Sequence, residues 1–248
     1  MPLPILSCIA EANIESREVR YVWDEWASKK SIYRREGDAE LRELVRALSQ
    51  RGRIALAAGI AEWLVCRFRP LLYKMLPFYA LEAAWAGVVD RRYVLPLPSF
   101  ADKDKDEWSG PVMGVIRRGL GLVNDTIDLG WANGDTARIP VKITNLTRYV
   151  LPDTRDFTAW VMATIERLRA LSPLEGDDFV GEVVPREALD CRHDFDPQTI
   201  ESSIQRFLGE ISSKRNPYLA SRETMLEWGF YGEPYTFDIT RDRQTRRK

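Results

Sequence analysis

The sequence predicts an all-α protein, built as an irregular array or bundle of antiparallel helical hairpins. Over most of the first 173 residues, apolar positions recur three or four residues apart, which is the spacing of a helix face. The most apolar stretch, Ile54–Cys66, contains one charge and is too short to span a bilayer. The pentapeptide RYVLP occurs at Arg92–Pro96 and again at Arg148–Pro152, each time where a helix is expected to end. Repeated helix ends suggest stacked hairpins, HEAT-like or in a compact bundle.

Composition bounds the class of protein. The chain has 248 residues, of which 45% are hydrophobic and 29% charged, as in a soluble globular protein able to bury a core without disulfides. The formal net charge of −1 creates no overall field that attracts nucleic acid or an anionic membrane. The three cysteines, Cys8, Cys66 and Cys191, are odd in number and far apart, which fits a reducing cytosol. The start of the chain lacks the basic and long apolar regions of a signal peptide. We therefore expect a soluble, cytoplasmic protein.

Four helices are expected in the first 90 residues, and glycine or proline marks several of their ends. Gly37 ends the first helix, Pro70 blocks the third, and Gly52 favours a break or kink near residues 49–52. The predicted helices are Asn13–Arg35, Asp38–Ser49, the Arg51–Pro70 stretch and a helix within Leu71–Asp90 that begins at Pro77.

The next part of the chain contains one ambiguous segment. The charged run Ala101–Glu107 predicts an exposed loop, and a helix follows over Ser109–Trp131, whose glycines would let a neighbouring helix approach closely. Thr136–Leu151 alternates like a strand at its start but also has helical spacing, and the repeated RYVLP favours a helix. Phe157–Leu171 is a further helix, ended by a serine and a proline.

The composition changes after Pro173, so the chain divides into three parts. We expect a helical core domain over residues 1–173, a C-terminal appendage packed on it over 174–240, and a disordered basic tail over 241–248. The appendage is loop-rich. Its expected elements are an extended piece at Phe179–Val184, helices at Gln198–Ser212 and Ser221–Glu227, and a strand-like alternation over Tyr235–Ile239.

Two acids in the apolar helices are candidates for chemistry. Glu62 and Glu82 are each the only acid of a strongly apolar helix, and each has a tryptophan soon after it. If the carboxylates converged, one pKa would rise, as general acid–base chemistry requires, or they would bind a divalent cation together with Asp125 and Asp128. The simpler interpretation, which we favour, is that each acid pairs with an arginine such as Arg67, Arg69 or Arg92.

Other catalytic patterns are weak or missing. Glu40 and Glu43 have an ExxE spacing without a matching ExxD, and the one histidine, His193, lies in an Asp-rich stretch typical of a solvated loop. Neither a Cys191–His193 nucleophile pair nor a zinc site with a neighbouring acid has a recognised spacing. No P-loop, G-x-S-x-G or H-E-x-x-H motif occurs, and we expect no cofactor.

Arginines and aromatic residues are the candidate binding groups. Arg51, Arg53, Arg67 and Arg69 bracket the apolar helix in two Arg-x-Arg pairs, and aligned helices would turn such pairs into a basic groove. Neighbouring acids would neutralise this groove, so we expect a solvated rim instead. The aromatic C-terminal segment, with Trp228 and Tyr231, is expected to pack on the helical body and shape a surface.

Three function hypotheses remain open. The first, which we favour, is a non-catalytic cytosolic helical protein that binds another protein, as an adaptor, an inhibitor or a toxin-immunity protein. The second is an all-α, Mg²⁺-dependent hydrolase that uses Glu62 and Glu82. The third is nucleic-acid binding through the arginine clusters, which the near-zero net charge disfavours. The sequence determines neither the partner nor the oligomeric state.

Overall fold

The computed structural model of the chain describes residues 3–30, 32, 38–98, 107–132, 134–174, 176 and 178–246. Within these ranges the protein is helical and has no β-strand, which confirms the all-α prediction. Two isolated bridges, Leu48–Pro173 and Val94–Leu219, join separate parts of the chain. In the described ranges, no helix has both the length and the apolar character needed to cross a membrane.

The α-helices are numbered along the chain, and short 3-10 turns connect several of them. They are α1 (Ser7–Glu11), α2 (Glu25–Lys30), α3 (Asp38–Arg46), α4 (Gln50–Arg67), α5 (Leu76–Val89), α6 (Gly110–Trp131), α7 (Arg138–Val150), α8 (Arg155–Leu171), α9 (Ile200–Glu210), α10 (Arg222–Glu227) and α11 (Ile239–Arg246).

Helix α4 is the centre of the fold. All of its 18 residues are buried, so it has no solvent face and no amphipathic stripe. It packs against α5, α6, α7 and α8. In a solenoid each unit contacts its sequence neighbours, whereas here one helix contacts four others. The expected array of antiparallel hairpins is therefore not confirmed.

The boundary before α4 agrees with the sequence. Ser49 is the N-cap and its hydroxyl accepts from the amide of Gly52 at 3.1 Å, so the break falls at Ser49 and Gly52 lies inside the first turn. The ambiguous segment is helix α7, as the repeated RYVLP suggested. The predicted helices over 109–131 and 157–171 are also confirmed, as α6 and α8. The charged run at residues 101–106 lies outside the described residues.

The prediction of one amphipathic helix over Asn13–Arg35 is wrong. The chain instead has α1 before this range and α2 within it, and residues 12–24 are irregular. Arg67 explains the irregular part, because its guanidinium binds the carbonyl of Ser16 at 2.7 Å and that of Glu18. A helix would use these carbonyls for its own hydrogen bonds. Residues 31 and 33–37, which include the predicted stop Gly37, lie outside the described residues.

The two copies of RYVLP have different roles. The second copy ends a helix as predicted, since Arg148 is in the last turn of α7 and Leu151 is its C-cap. The first copy follows α5, which has already ended at Val89. Its backbone pairs with the C-terminal part instead, through Leu95 N–H to Tyr218 O at 2.9 Å and Ala220 N–H to Tyr93 O at 3.0 Å.

The C-terminal part shares one hydrophobic core with the helices before it. Val183, Leu189, Leu208 and Met225 belong to the same cluster of buried side chains as α4. The strand-like alternation over Tyr235–Ile239 is not a strand. Tyr235 has a φ of 56°, and α11 begins at Ile239. The segment from residue 241, expected to be a disordered tail, is part of helix α11 up to Arg246.

Candidate functional site

The buried acid of α4, Glu62, forms an ion pair. Arg186 donates to both carboxylate oxygens at 2.7 and 2.6 Å, and the indole N–H of Trp85 donates to one of them. The Glu62 side chain is 3% exposed and that of Arg186 is 10% exposed. Burial acts to lower the pKa of Arg186, but the charge of Glu62 outweighs this effect and raises the pKa above its ordinary value. This is the paired arrangement that we favoured, with Arg186 in place of the three arginines considered.

The acid of α5, Glu82, has partners of its own. One oxygen accepts from the side-chain amide of Asn216 at 3.0 Å, and Arg215 lies 3.6 Å from the other. Glu62 and Glu82 share none of these partners. Arg186 is hydrogen-bonded to Glu62, whereas Arg215 only lies near Glu82. Both arginines come from beyond residue 173, an origin that residue spacing does not reveal.

The two acids of α6 do not complete a metal site. Asp128 is paired with Arg91 at 2.8 Å and also accepts from Asn124 at 2.8 Å, whereas Asp125 is exposed. Over the described residues, no three His, Cys, Asp or Glu side chains are grouped so that they could hold a metal ion.

The arginines that precede the apolar stretch point into the protein. Arg51 donates to both oxygens of Asp242 at 2.7 and 2.8 Å and to the carbonyl of Val89 at 2.7 Å. Arg53 donates to the carbonyls of Val45 at 3.3 Å and Arg46 at 2.8 Å, at the end of α3. Both cations lie near the positive end of the α4 dipole, which repels them. The acid and carbonyl oxygens around them offset this repulsion.

The arginines that follow the apolar stretch differ from each other. Arg67 is buried and donates to the carbonyl of Val150 at 3.2 Å as well as to the N-terminal segment. Arg69 has a 52% exposed side chain and lies 3.4 Å from Glu15. Arg51, Arg53 and Arg67 thus connect the two ends of α4 to other segments, and the four arginines do not form one exposed groove.

The C-terminal aromatic segment, residues 226–237, has exposed apolar side chains on a fixed backbone. Leu226 is 42% exposed, Trp228 39% and Tyr231 83%. Gly229, with a φ of 77°, makes the left-handed turn that ends α10. On the inner side, the ring of Tyr93 packs against Phe230 and Tyr235 at centroid distances of 5.4 and 5.0 Å. The segment therefore packs on the helical body, as expected.

Hydrogen bonds and cation–π contacts hold the same segment in place. The Tyr93 hydroxyl donates to the carbonyl of Thr236 at 2.9 Å, and that of Tyr235 donates to the carbonyl of Ala220. Arg91 lies over the Trp228 ring at 5.3 Å and Arg92 over the Phe230 ring at 5.0 Å.

A cavity of about 390 Å³ lies between this segment and the ends of α4, α5 and α6. Its walls include five aromatic residues, Tyr93, Trp131, Phe230, Tyr231 and Phe237. The lining holds equal numbers of arginines and acids, namely Arg51, Arg92, Arg241, Asp90, Asp238 and Asp242. Arg51 contacts Asp242, and Arg92 contacts Asp90. The cavity thus offers aromatic contact area and compensated charge, which suits an apolar or aromatic group.

Sequence analysis missed a polar cluster around α1. Asp190 accepts from the backbone amide of Ser7 at 2.8 Å and from its hydroxyl at 2.6 Å, and His193 Nε2 lies 3.1 Å from that hydroxyl. The Ser7 hydroxyl can donate only one hydrogen bond, and it donates that bond to Asp190. In its contact with His193 the hydroxyl therefore accepts, and the histidine donates. This order is not that of a Ser-His-Asp triad, in which the histidine takes the proton of the serine. Because Asp190 lies 183 positions after Ser7, no spacing in the sequence could have indicated the cluster.

The neighbouring thiol of Cys8 is also unsuited to nucleophilic catalysis. Burial, and then the charge of Asp190, raise its pKa to about 12. At neutral pH it is therefore a thiol and not the nucleophilic thiolate.

Comparison of the chain with models of protein families, with curated proteins and with solved structures found no match.

Proposed function

We propose that this chain is a non-catalytic helical protein of the cytosol that binds another protein, as an adaptor, an inhibitor or a toxin-immunity protein, through its C-terminal aromatic segment. One observation carries the proposal. Leu226, Trp228 and Tyr231 expose large apolar side chains within six residues, on a backbone that the Tyr93 contacts fix to the core.

Interface energetics support this assignment. Tryptophan and tyrosine are enriched among the few residues that carry most of the energy of a protein interface. Because the backbone of the segment is already ordered, binding costs little conformational entropy. The cavity beside Tyr231 would receive an apolar side chain of the partner, and Arg91 beside Trp228 would belong to the polar rim.

The experiment compares two exposed tyrosines. A photo-crosslinking residue is placed at position 231 in one variant and at position 73 in another, because Tyr73 is 97% exposed and lies outside the segment. We expect irradiation in the native cell to give one adduct of defined mass from position 231 and not from position 73. The adduct protein is then purified and its affinity for the wild-type chain is measured.

The affinity of variants decides the proposal. Trp228→Ala is expected to raise the Kd of the purified partner about 30-fold, which corresponds to about 2 kcal/mol for a central anchor residue. Tyr73→Ala is the matched control and is expected to leave the Kd within about twofold, as for a residue outside the interface. The proposal is rejected if position 231 gives no adduct, or if Trp228→Ala binds the adduct protein as well as Tyr73→Ala does.

A further inference from the structure

A second cavity, of about 240 Å³, lies where the end of α3 meets the start of α4. Arg46 and Arg53 line it, together with Asp135 from the loop before α7. Leu174 and Phe179 also line it and are 37% and 52% exposed. Cationic groups and exposed apolar groups therefore face the same space.

Arg53 is a buried cation without a carboxylate in contact. Its residue is 7% exposed, and its Nε and Nη2 donate to the carbonyls of Val45 and Arg46. Its Nη1 has no hydrogen-bond partner among the described residues, and this nitrogen is accessible to solvent. By contrast, Arg51 and Arg186 each contact a carboxylate at both oxygens. Arg67 is also buried and contacts only carbonyls, but its Nε, Nη1 and Nη2 all donate.

Burial lowers the pKa of Arg53, and the charge of Arg46 adds to this effect while that of Asp135 opposes it. The protonated guanidinium would therefore gain from an anion placed at the cavity.

The acid in this cavity compensates the arginines incompletely. Asp135 lies 3.6 Å from Arg46 and 3.8 Å from Arg42, beyond the roughly 2.7–2.9 Å of a charge-assisted hydrogen bond. Arg46 also pairs with Glu43 at 2.7 Å. The charged residues that line the cavity, within the described part of the chain, are thus two arginines and one acid. Desolvation acts to raise the pKa of Asp135, but the Ala137 amide and the arginines outweigh this effect and hold the pKa below its ordinary value. Asp135 is therefore ionised at neutral pH.

We propose that this cavity binds a small-molecule oxyanion, a carboxylate or a phosphate, carried on an apolar body. Arg53 Nη1 and the guanidinium of Arg46 donate to the oxyanion, and Phe179 and Leu174 contact the apolar body. Two guanidinium groups supply the geometry that carboxylates and phosphates prefer. The site uses no residue of the C-terminal aromatic segment, so it stands independently of the proposed function.

The first test uses three small probes and the ¹⁵N-labelled full-length chain at constant ionic strength. Phenyl phosphate has both the oxyanion and the apolar body, inorganic phosphate has only the first, and benzyl alcohol has only the second. We expect phenyl phosphate to shift the Gly134 and Phe179 amide resonances saturably, with a Kd at least threefold below that of inorganic phosphate. Benzyl alcohol is expected to leave them unshifted. A lack of saturable shifts with phenyl phosphate overturns the proposal.

The second test uses variants that are expected to change the Kd of phenyl phosphate in opposite directions. Arg46→Gln is expected to raise the Kd of phenyl phosphate at least fivefold, whereas Asp135→Asn lowers it, because the competing carboxylate is removed and the hydrogen bond to Ala137 is kept. Phe179→Ala is expected to weaken phenyl phosphate and not inorganic phosphate. Arg155→Gln, at an 89% exposed side chain paired with Asp153, is the control and changes neither Kd.

Arg53 itself is left intact in these variants because it holds the end of α3. The proposal is wrong if Arg46→Gln matches the Arg155→Gln control, or if Asp135→Asn weakens the binding of phenyl phosphate.

Discussion

Glu62 and Arg186 are the clearest case of a charge that the core must neutralise. Both side chains are almost fully buried, and two hydrogen bonds join them. Removing one member of such a pair leaves the other as an uncompensated buried charge, at a cost of about 3–5 kcal/mol. Replacing both members by apolar residues is often neutral or stabilising. The energetic role of Glu62 therefore depends on whether Arg186 is present.

Glu62→Leu is accordingly expected to lower the free energy of unfolding by about 3–5 kcal/mol. The double variant Glu62→Leu/Arg186→Met is expected to recover most of that loss, because no buried charge then remains without a partner. Urea unfolding of the wild type, both single variants and the double variant gives the coupling between the two residues. Additive losses in this cycle would contradict the ion-pair interpretation.

The sequence revealed Glu62 but not its partner. A lone acid among thirteen otherwise uncharged residues was visible at once, and pairing with an arginine was the favoured interpretation. Arg186 lies 124 residues later, in a 3-10 turn within a loop-rich stretch, so neither periodicity nor spacing relates it to Glu62. Arg215 relates to Glu82 in the same way. Such pairs arise from tertiary packing, which local patterns do not encode.

At the scale of elements, Gly119 lets α6 pack closely on α4, and the glycines of this helix had suggested such an approach. A Cβ atom built on Gly119 would lie 2.3 Å from Leu64 Cδ2, and Leu64 is fully buried. Such an approach has no room for a methyl group, so the buried Leu64 side chain or one of the two helices would have to shift.

Gly119→Ala is expected to destabilise the protein by about 1–3 kcal/mol through overpacking. Gly209 in α9 is the matched control, because it is also helical but has no atom within 4 Å of its built Cβ. Gly209→Ala is expected to stabilise by about 0.5–1 kcal/mol through helix propensity. Thermal unfolding of both variants measures the two effects, and shifts of equal sign would contradict the packing argument.

Helix α11 depends on polar contacts, because its sequence has no apolar face. Asp242 holds Arg51, whose side chain is 4% exposed. Arg243 of the same helix instead pairs with Glu182, and these two side chains are 52% and 33% exposed. Asp242→Asn is expected to cost about 1.5–3 kcal/mol, as hydrogen bonds to a charged group are lost. Arg243→Gln is expected to cost at most about 1 kcal/mol. Chemical denaturation measures both costs, and hydrogen exchange of the α11 amides is expected to accelerate more in Asp242→Asn.

Elements with sustained apolar periodicity were predictable, and α3 to α8 follow the expected order. In two segments that differ from their predicted structure, long-range hydrogen bonds override the local preference of the sequence. Residues 12–24 are irregular where Arg67 takes two of their carbonyls, and α11 is ordered where Asp242 pairs with Arg51. In both cases the partner is an arginine at an end of α4, Arg67 or Arg51. The helix that was easiest to predict thus binds the segments that were hardest to predict.

At the scale of the whole molecule, contacts across residue 173 bear on whether the expected core domain is independent. Several groups before this point use partners after it. For example, Glu62 uses Arg186, the Trp160 indole donates to the carbonyl of Leu189 at 2.8 Å, and Ser172 donates to the carbonyl of Glu182 at 2.6 Å. The cluster of buried side chains is also continuous across this boundary. A chain ending at residue 173 would expose one side of α4 and α8 and leave Glu62 without its arginine.

We therefore expect fragment 1–173 not to fold cooperatively and to bind a hydrophobic dye, because the loss at Glu62 alone costs about 3–5 kcal/mol of a typical total of about 5–15 kcal/mol. The control is fragment 1–238, which lacks α11 but keeps Arg186, Leu189 and Glu182. It is expected to unfold in one transition at a lower midpoint than the full chain. Near-ultraviolet circular dichroism and tryptophan fluorescence, followed through the same urea titration, give coincident curves if unfolding is two-state. A native-like spectrum and a sharp transition for fragment 1–173 would instead establish residues 1–173 as a domain, with the remainder as a true appendage.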